Sequence, residues 1–300
     1  MIIYSELGKK GNLGNQLFQI ASTLGIAKSN NQEAGFPKWE YSIFFEHELP
    51  EIDRQRDFIQ IKEPSFNYKK LILRDENYDL NGWYQSEKYF DIKLVNKYFT
   101  FKKSLVQNIR EKYSSLLGSK HILISVRRGD FVHHPYYFQL SYKYYFLAIS
   151  ENFPDWKSRK LIFTSDDINY CKKHFSFLEN SYFLDDLNAI EQLVFGSLSK
   201  DFIISNSTFS WWLAWFGEKK DSTVIRPKQN FRGAFAKKNN DKDYFPERWV
   251  QFKTSKKSIS LKYIGLILKG DFFRIIDYSE FIFKKQKKKI KKKIKQIARF

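Results

Sequence analysis

Short apolar runs alternate with amphipathic stretches along the second half of the chain. The runs that predict β-strands lie at 121–126, 161–164, 182–184, 202–205 and 223–226. Between two of them, residues 186–198 place five apolar side chains on one helix face, namely Leu187, Ile190, Leu193, Val194 and Leu198. Short apolar strands in alternation with helices indicate a parallel sheet that is covered on both faces. Ligands of such sheets bind beyond the carboxyl ends of the strands.

The beginning of the chain predicts a similar unit. A strand candidate at 2–4 leads into a glycine-rich turn at 8–15, and residues 16–28 carry apolar side chains at helical spacing. Residues 30–100 contain strand-like pieces in an irregular pattern, and 104–117 predict a helix. With 300 residues and 42% apolar content, the chain is long enough for two compact units. We therefore expect an α/β fold.

Two polar segments follow predicted strands. The first, Ile124-Ser-Val-Arg-Arg-Gly-Asp-Phe131, places Arg127 and Arg128 at a strand end, and guanidinium groups form strong hydrogen bonds with phosphate. The second, Ser205-Asn-Ser-Thr-Phe-Ser210, leads into an apolar helix, and free backbone N–H groups at a helix start attract phosphate. Together the two segments predict a nucleotide or nucleotide-sugar site.

Each segment can also be explained by a purely structural role, without a ligand. One of the two arginines could pair with Asp130 and form a bridge that holds the loop. Ser207, with Ser210 three residues later, is expected to cap the helix start, and an ordinary capped helix needs no ligand. Of Trp211, Trp212 and Trp215, at least one should lie in the core, because they cannot all face one side of a helix.

Two carboxylates, Asp166 and Asp167, follow another predicted strand. Adjacent residues of an extended chain point to opposite sides, and no His, Cys or Glu partner is nearby, which argues against a metal site. We expect one carboxylate to accept hydrogen bonds from a guanine edge or from ribose hydroxyls.

Asp185 and Asp186 predict a helix N-cap. The histidines show no metal-ligand spacing, although His133 follows the arginine segment and is a candidate for the wall of the site.

The formal net charge of +19 is concentrated in the C-terminal tail. From Lys253 onward, 16 lysines and arginines stand against three acids, a local net charge of +13. A nucleic-acid-binding protein is the alternative from another class, but no patterned basic groove or recognition motif accompanies the tail. Residues 259–283 mix apolar and charged side chains, and 284–300 form a lysine run. We expect attraction to an anionic membrane surface, with a disordered, solvated tail as the alternative.

The cellular location is predicted from three features. The single cysteine, Cys171, cannot form an intramolecular disulfide, which fits a reducing compartment. The first residues lack the pattern of a signal peptide, and no apolar run approaches the roughly 18 residues that span a bilayer. We expect a cytoplasmic protein that lies peripherally on the inner face of the membrane where its tail binds lipid.

Five segments together resemble the bacterial α-1,2-fucosyltransferases of glycosyltransferase family 11. In chain order they are Gly11-Asn-Leu-Gly-Asn-Gln-Leu-Phe-Gln19, Gly82-Trp-Tyr-Gln-Ser-Glu-Lys-Tyr-Phe90, Val126-Arg-Arg-Gly-Asp-Phe131, Phe163-Thr-Ser-Asp-Asp167 and 205–216. The resemblance spans most of residues 8–250 and implies a GT-B architecture of two facing Rossmann-like domains. We expect an acceptor-side domain at 1–117, a nucleotide-sugar-binding domain at 118–252 and the basic amphipathic, helical tail at 253–300.

The resemblance further implies that GDP-fucose is the donor and that transfer inverts the sugar without a metal or another cofactor. Arg128 and Arg127 would grip the diphosphate. The helix-start segment would assist them through four donor-binding residues, namely Asn206, Ser207, Thr208 and Phe209.

Other residues take their expected roles from the same resemblance. Asp166 or Asp167 would read the nucleoside, and Asn15 and Gln16 would approach the donor across the cleft. Glu87 would contact the acceptor, and His133 is a second candidate for that contact.

The general base has no clear position in the sequence. Many family members carry a histidine before the arginine motif, where this chain has Ser125 and Val126, so Asp130 is the candidate for the base. The sequence therefore predicts transfer of L-fucose to a glycan hydroxyl, expected to be O2 of a galactoside on a lipid-linked acceptor such as an O-antigen. The alternatives within the same class are another GDP-sugar donor and a different fucosyl linkage.

Overall fold

A computed structural model describes residues 1–53, 55–254 and 264–297. The strands are β1 (Ile2–Ile3), β2 (Ala34–Gly35), β3 (Ile59–Lys62), β4 (Tyr78–Asn81), β5 (His121–Val126), β6 (Lys160–Ser165), β7 (Ser181–Phe183), β8 (Asp201–Ile203), β9 (Val224–Pro227) and β10 (Val250–Phe252). The α-helices are α1 (Leu13–Ser29), α2 (Ile92–Tyr98), α3 (Lys103–Lys112), α4 (Ser114–Leu117), α5 (Tyr142–Asn152), α6 (Ile168–Phe175), α7 (Ala189–Ser197), α8 (Thr208–Gly217), α9 (Gly233–Lys238) and α10 (Ile264–Ile297). Short 3₁₀ helices occupy Glu40–Phe44, Glu87–Tyr89, Gly129–Phe131 and Trp156–Ser158.

The strands form two parallel sheets, which confirms the expected α/β class. The first sheet has the order β2-β1-β4-β3, and the second has the order β10-β9-β8-β5-β6-β7. β5 lies between β6 and β8, with Ile122 opposite Leu161 on one side and Asp201 on the other. All six residues of β5 are buried because the strand is covered on both faces, as its short and largely apolar run predicts.

The two sheets share one hydrophobic core through the packing of α1 against α8. The ring of Phe18 in α1 lies 4.6 Å from that of Trp211 and 5.2 Å from that of Trp212. Both tryptophans are fully buried, which confirms that at least one of the three belongs to the core. The predicted boundary between residues 117 and 118 lies between the strands of the two sheets and stays a prediction.

Several element boundaries differ from the sequence-based expectations. α1 begins at Leu13, so the predicted glycine-rich turn is shorter than 8–15 and its last residues are helical. The predicted helix at 104–117 is interrupted at Tyr113. The N-cap predicted at Asp185 and Asp186 is wrong, because Asn188 caps α7 through a capping box with Glu191. Asp185 instead pairs with Lys172, and Asp186 pairs with Lys112.

The described part of the tail is a long helix, α10, that docks on the second sheet's helices. The Tyr142 hydroxyl donates a hydrogen bond to the carbonyl of Ile267, which is buried in this contact. Gly270 is required there, since a Cβ at its position would lie 2.0 Å from the Tyr142 ring. The disordered alternative is thus wrong for 264–297, whereas residues 255–263 and 298–300 lie outside the described residues.

Asp277 holds α10 against α6 by two short hydrogen bonds. Lys173 Nζ lies 2.6 Å from its Oδ1, and His174 Nε2 lies 2.6 Å from its Oδ2. Burial raises the pKa of Asp277, but these two hydrogen bonds outweigh burial and hold the pKa below its usual value. Burial lowers the pKa of His174, so its neutral ring donates Nε2–H to the carboxylate.

We predict that Asp277→Ala releases α10 from α6, because Lys173 and His174 lose their shared acceptor. Each hydrogen bond to a charged group contributes about 1.5–3 kcal/mol, so we expect at least a fivefold increase in tryptic cleavage within α10. Mass spectrometry of timed digests measures this rate. Ser279→Ala, which removes a hydroxyl bonded only to the helix's own Ile275 carbonyl, is the matched control.

The same pair makes the docking of α10 dependent on pH. Both Asp277 and His174 have lowered pKa values when the helix is docked, so the detached state binds more protons. Docking is therefore favoured above about pH 6.5, the ordinary histidine value, and weakens as the pH falls below it. Cleavage of α10 that did not accelerate toward pH 5, measured with an acid-tolerant protease, would contradict this assignment.

Candidate active site

A small cavity of about 250 Å³ lies at the carboxyl ends of β5 and β6, beside the start of α8. We call it the strand-end cavity. Its lining residues are Ser125, Val126, Arg127, Ser165, Asp166, Ala189, Gln192, Ser207, Phe209 and Ser210. The cavity therefore brings one arginine of the first polar segment together with the hydroxyl-rich helix start of the second. This is the edge of a parallel sheet at which ligands bind.

The two adjacent arginines have different surroundings. The Arg127 guanidinium contacts Asp130 at 2.5 Å and Asp166 at 3.2 Å, and it lines the strand-end cavity. The sequence presented a pair with Asp130 as a purely structural alternative to a ligand site. In the structure Arg127 both forms this pair and lines the strand-end cavity.

Arg128 does not line the strand-end cavity, which corrects the expectation that both arginines face one pocket. Its guanidinium carbon lies 3.9 Å from the centre of the Tyr170 ring on α6, a cation–π contact. Among the described residues it forms no ion pair, and its Nε is buried without a hydrogen-bond partner. Arg127 is consequently the arginine that a ligand in the cavity would meet.

Asp166 organises the arginine segment from the neighbouring strand. One oxygen accepts the backbone N–H of Arg128 at 2.8 Å, and the other pairs with the Arg127 guanidinium. Gly129 permits this approach, since a Cβ at its position would lie 2.3 Å from Asp166 Oδ2. Asp167 caps α6 by accepting the backbone N–H of Tyr170. Both carboxylates thus have partners within the protein, and the reading of a nucleoside by either stays a prediction.

Four serine hydroxyls form a buried cluster beneath the start of α8. Ser210 Oγ lies 2.7 Å from the hydroxyls of both Ser125 and Ser205, and Ser207 Oγ lies 2.9 Å from it. Ser207 also accepts the backbone N–H of Ser210 at 3.1 Å, which confirms the predicted helix cap. The cluster ties β5, β8 and α8 together, so the first turn of α8 is held rigidly against the cavity.

A second and larger cavity, of about 550 Å³, lies between the two halves of the molecule. We call it the interdomain cleft. The N-terminal half contributes Asn15, Glu63, Trp83 and Gln85, among others, and the C-terminal half contributes Phe131, Tyr137, Asn206, Thr208 and Tyr244, among others. Asn206 and Thr208 line the cleft while Ser207 and Phe209 line the strand-end cavity, so the two cavities adjoin at the start of α8.

The amides predicted for donor binding are already hydrogen-bonded within the protein. Asn206 is buried and donates to the carbonyls of Phe138 and Asn230 at 3.0 and 2.8 Å, which fixes two loops of the cleft wall. Asn15 lines the cleft and accepts a hydrogen bond from Gln85 at 2.8 Å. Its predicted contact with the donor stays a prediction.

Two of the predicted site residues, Gln16 and Glu87, lie away from both cavities. Gln16 is only 4% exposed, and its amide bonds the Gly11 carbonyl and the Trp39 indole, so it supports the fold of the N-terminal half. Glu87 pairs with Arg248 at 2.6 Å and lines a separate surface groove rather than the interdomain cleft.

His133 and Asp130 also depart from their expected surroundings. His133 has a positive φ of 60° and stacks on Phe281 of α10 with ring centres 3.6 Å apart. Burial and the nearby Arg128, Arg232 and Lys285 lower the pKa of His133, so it is neutral at pH 7. Asp130 is 59% exposed, pairs with Arg127 and lines neither the strand-end cavity nor the interdomain cleft, so it lies outside both candidate binding spaces.

Sequence reasoning missed three residues of the cleft, Glu63, Trp83 and Gln85. Trp83 and Gln85 belong to the segment 82–90 that carried the family resemblance, so their signal was present. Glu63 follows a strand whose side chains are mostly exposed, and no motif surrounds it.

Within 1–53, 55–254 and 264–297, no group of three or more His, Cys, Asp or Glu side chains is placed to hold a metal ion. The same ranges contain no helix that is long and apolar enough to span a bilayer.

Two facing Rossmann-like units, with a site at the strand ends and a cleft between them, define the GT-B class of glycosyltransferases. The model of glycosyl transferase family 11 matches residues 5–253, and the chain belongs to this family. An α-1,2-colitosyltransferase of Escherichia coli is 23% identical over 284 residues, which cover 81% of this chain and 97% of that protein.

Two further proteins are similar to this chain. A putative galactoside 2-α-L-fucosyltransferase of Caenorhabditis elegans, svh-11, is 25% identical over 299 residues, covering 83% of this chain and 78% of that protein. Among solved structures, the fucosyltransferase NodZ from Bradyrhizobium has a TM-score of 0.50 at 13% identity, covering 71% of this chain and 92% of NodZ. At this identity the likeness to NodZ shows a shared fold.

Gly14 provides a test of the contact that forms both cavities. A Cβ at Gly14 would lie 2.5 Å from the Phe209 backbone nitrogen, so Gly14→Ala must separate α1 from α8. We expect a loss of about 1–3 kcal/mol, the usual cost of overpacking, and a melting temperature lower by several degrees. Gly265→Ala in α10, where a Cβ meets nothing within 4 Å, is the control and should not lower it.

Proposed function

We propose that the protein transfers L-fucose from GDP-β-L-fucose to a glycan hydroxyl and forms an α-1,2 linkage with inversion. The observation that carries this proposal is the strand-end cavity, where Arg127 and the capped start of α8 face one small space. Family membership and the named activities of the colitosyltransferase and fucosyltransferase relatives support the same chemistry. O2 of a galactoside is the acceptor atom that the fucosyltransferase relative's name gives, and the colitosyltransferase's name gives a 1,2 linkage as well.

In this proposal the donor diphosphate lies in the strand-end cavity. Negative charge grows on the leaving oxygen as the bond to fucose breaks, and a guanidinium aimed at that oxygen stabilises the transition state more than the ground state. Backbone N–H groups of the first turn of α8 place the positive end of the helix dipole at the same cavity. The sugar would extend past Thr208 into the interdomain cleft, whose volume suits a mono- or disaccharide acceptor.

Arg127→Ala tests the role of the arginine in the cavity. We expect kcat/KM for GDP-fucose to fall at least 10²-fold, the usual effect of losing one donor to a developing charge. Arg128→Ala should lower it roughly tenfold or less, the scale of a cation–π contact, because that guanidinium lies over Tyr170. Arg110→Ala, at an exposed arginine of α3, is the control. Near-normal GDP release by Arg127→Ala would contradict the proposal.

The alternative functions differ from the proposed one in the sugar donor or in the class of ligand. The colitosyltransferase relative favours one specific alternative for the transferred sugar, colitose. Turnover of a panel of GDP-, UDP- and dTDP-sugars separates these donors, and linkage analysis of the product separates α-1,2 from other bonds. A nucleic-acid-binding protein would turn over none of the donors and would bind DNA or RNA through its tail.

We also propose that α10 holds the enzyme on an anionic membrane, near lipid-linked acceptors. Leu268, Phe272 and Ile275 are 60–62% exposed at helical spacing, on the side opposite the docked Ile267 and Asp277. Six exposed lysines follow on the same helix, Lys284, Lys285, Lys287, Lys288, Lys289 and Lys291. Each lysine near an anionic surface contributes about 1 kcal/mol, and the apolar side chains provide shallow insertion.

Sedimentation with vesicles checks the membrane proposal. The protein should bind phosphatidylglycerol vesicles at low salt and dissociate at high salt, while neutral vesicles should bind it weakly. Leu268→Asp with Phe272→Asp should lower the affinity at least tenfold, since burying each of these side chains contributes about 1.5–3 kcal/mol. Ile72→Asp, at an exposed isoleucine far along the chain, is the matched control. Failure to bind anionic vesicles at any salt concentration removes the proposal.

A further inference from the structure

One carboxylate among the described residues lines the interdomain cleft, and it belongs to Glu63. Glu63 directly follows β3, so it lies at the carboxyl end of a strand of the first parallel sheet. The opposite wall of the cleft includes Asn206, in the loop after β8, and Thr208, at the start of α8. Glu63 therefore belongs to the N-terminal half, the predicted acceptor side, and faces the C-terminal half, the predicted donor side, across the cleft.

The backbone around Trp83 fixes the orientation of the Glu63 carboxylate. One oxygen accepts the N–H of Trp83 at 2.7 Å, and the other accepts the N–H of Tyr84 at 2.9 Å. Gly82 permits this approach, because a Cβ at its position would lie 2.3 Å from the Glu63 Cβ. Each carboxylate oxygen can accept two hydrogen bonds, so each retains one site for a hydroxyl in the cleft.

The two carboxylates of the arginine loop and its neighbouring strand already have partners. Asp166 is held between Arg127 and the Arg128 backbone, and Asp130 pairs with Arg127 on the outside of the loop. Of the tyrosines that line the cleft, Tyr137 and Tyr244 have raised pKa values because of burial, so they are protonated at pH 7 and cannot act as bases.

We propose that Glu63 is the general base of the transfer reaction, an inference that rests on the proposed function. The acceptor hydroxyl gives its proton to a Glu63 oxygen while its own oxygen forms the bond to C1 of the sugar. The bond from C1 to the diphosphate oxygen breaks, and its electron pair leaves with GDP. The protonated Glu63 then returns its proton to solvent when the product departs.

The surroundings of Glu63 favour this role. Burial raises the pKa of Glu63 more than the two backbone N–H groups and Lys10 lower it, which strengthens the carboxylate as a base. The ionisable side chains that interact with it are Lys10, Tyr4, Tyr84 and Tyr89. The phenols of Tyr4, Tyr84 and Tyr89 stay protonated because burial raises their pKa values. Transfer should therefore fall as the pH drops through the pKa of Glu63.

A purely structural Glu63 would anchor the turn at Trp83 without taking a proton, and Glu63→Gln distinguishes the two roles. We expect kcat for transfer to a β-galactoside to fall about 10²–10⁴-fold, the range typical of a lost general base. KM for GDP-fucose should change less than about threefold, since the donor diphosphate lies in the strand-end cavity, which Glu63 does not line. The acid limb of the pH–rate profile should disappear. Glu46→Gln, which alters a glutamate that accepts the Lys103 backbone N–H in the same half, is the control.

Azide provides the decisive comparison, because this anionic nucleophile carries no proton to remove. Glu63→Gln should form fucosyl azide from GDP-fucose at a rate within a few fold of the wild-type protein, as measured by mass spectrometry. Equal loss of the azide and glycan reactions would show a collapsed cleft and overturn the inference, and so would normal glycan transfer by the variant. A wild-type protein that consumes no GDP-sugar would overturn the proposed function itself, whereas an active wild type beside an equally active variant overturns only the role of Glu63.

Discussion

The close packing of α1 against α8 is the contact on which the two cavities depend. Gly14 lets the helices approach so closely that the start of α8 is shared by the strand-end cavity and the interdomain cleft. Phe18, Trp211 and Trp212 fill the space behind this contact and remove it from water. A fixed helix start can present its N–H groups without reorganisation when a ligand arrives, which is the condition for strong electrostatic stabilisation.

The charges of the strand-end cavity suit the exchange of one anion for another. Arg127 contacts two carboxylates, of which Asp130 is exposed and Asp166 is fixed by the Arg128 backbone. An exposed ion pair contributes little, about 0–1 kcal/mol, so a diphosphate could displace Asp130 from Arg127 at small cost. Asp166 would keep the guanidinium oriented during that exchange. The pairing of Arg127 with Asp130 is therefore compatible with a ligand site, although the sequence presents the two as alternatives.

The sequence predicted those parts of the fold whose signals are local. β5 is buried at all six positions and its sequence is largely apolar, while Ser207 caps the start of α8 as predicted. The strands β2 to β4 were harder to predict, because they are two to four residues long and β3 is mostly exposed. The difference between Arg127 and Arg128 was not predictable, since it depends on a contact with Tyr170, some forty residues away in the chain.

The inner face of α10 connects the tail to the arginine segment. Arg128 lies over Tyr170, the Tyr170 and His174 rings are 4.1 Å apart, and His174 bonds Asp277 of the tail helix. On the other side of the loop, Phe281 stacks on His133. Since packed side chains transmit displacements rather than absorb them, a tail helix that moves would shift the support of Arg128 and of the loop after it. The tail helix thus has two roles. Its outer side is exposed to solvent, and its inner side supports the residues behind the candidate site.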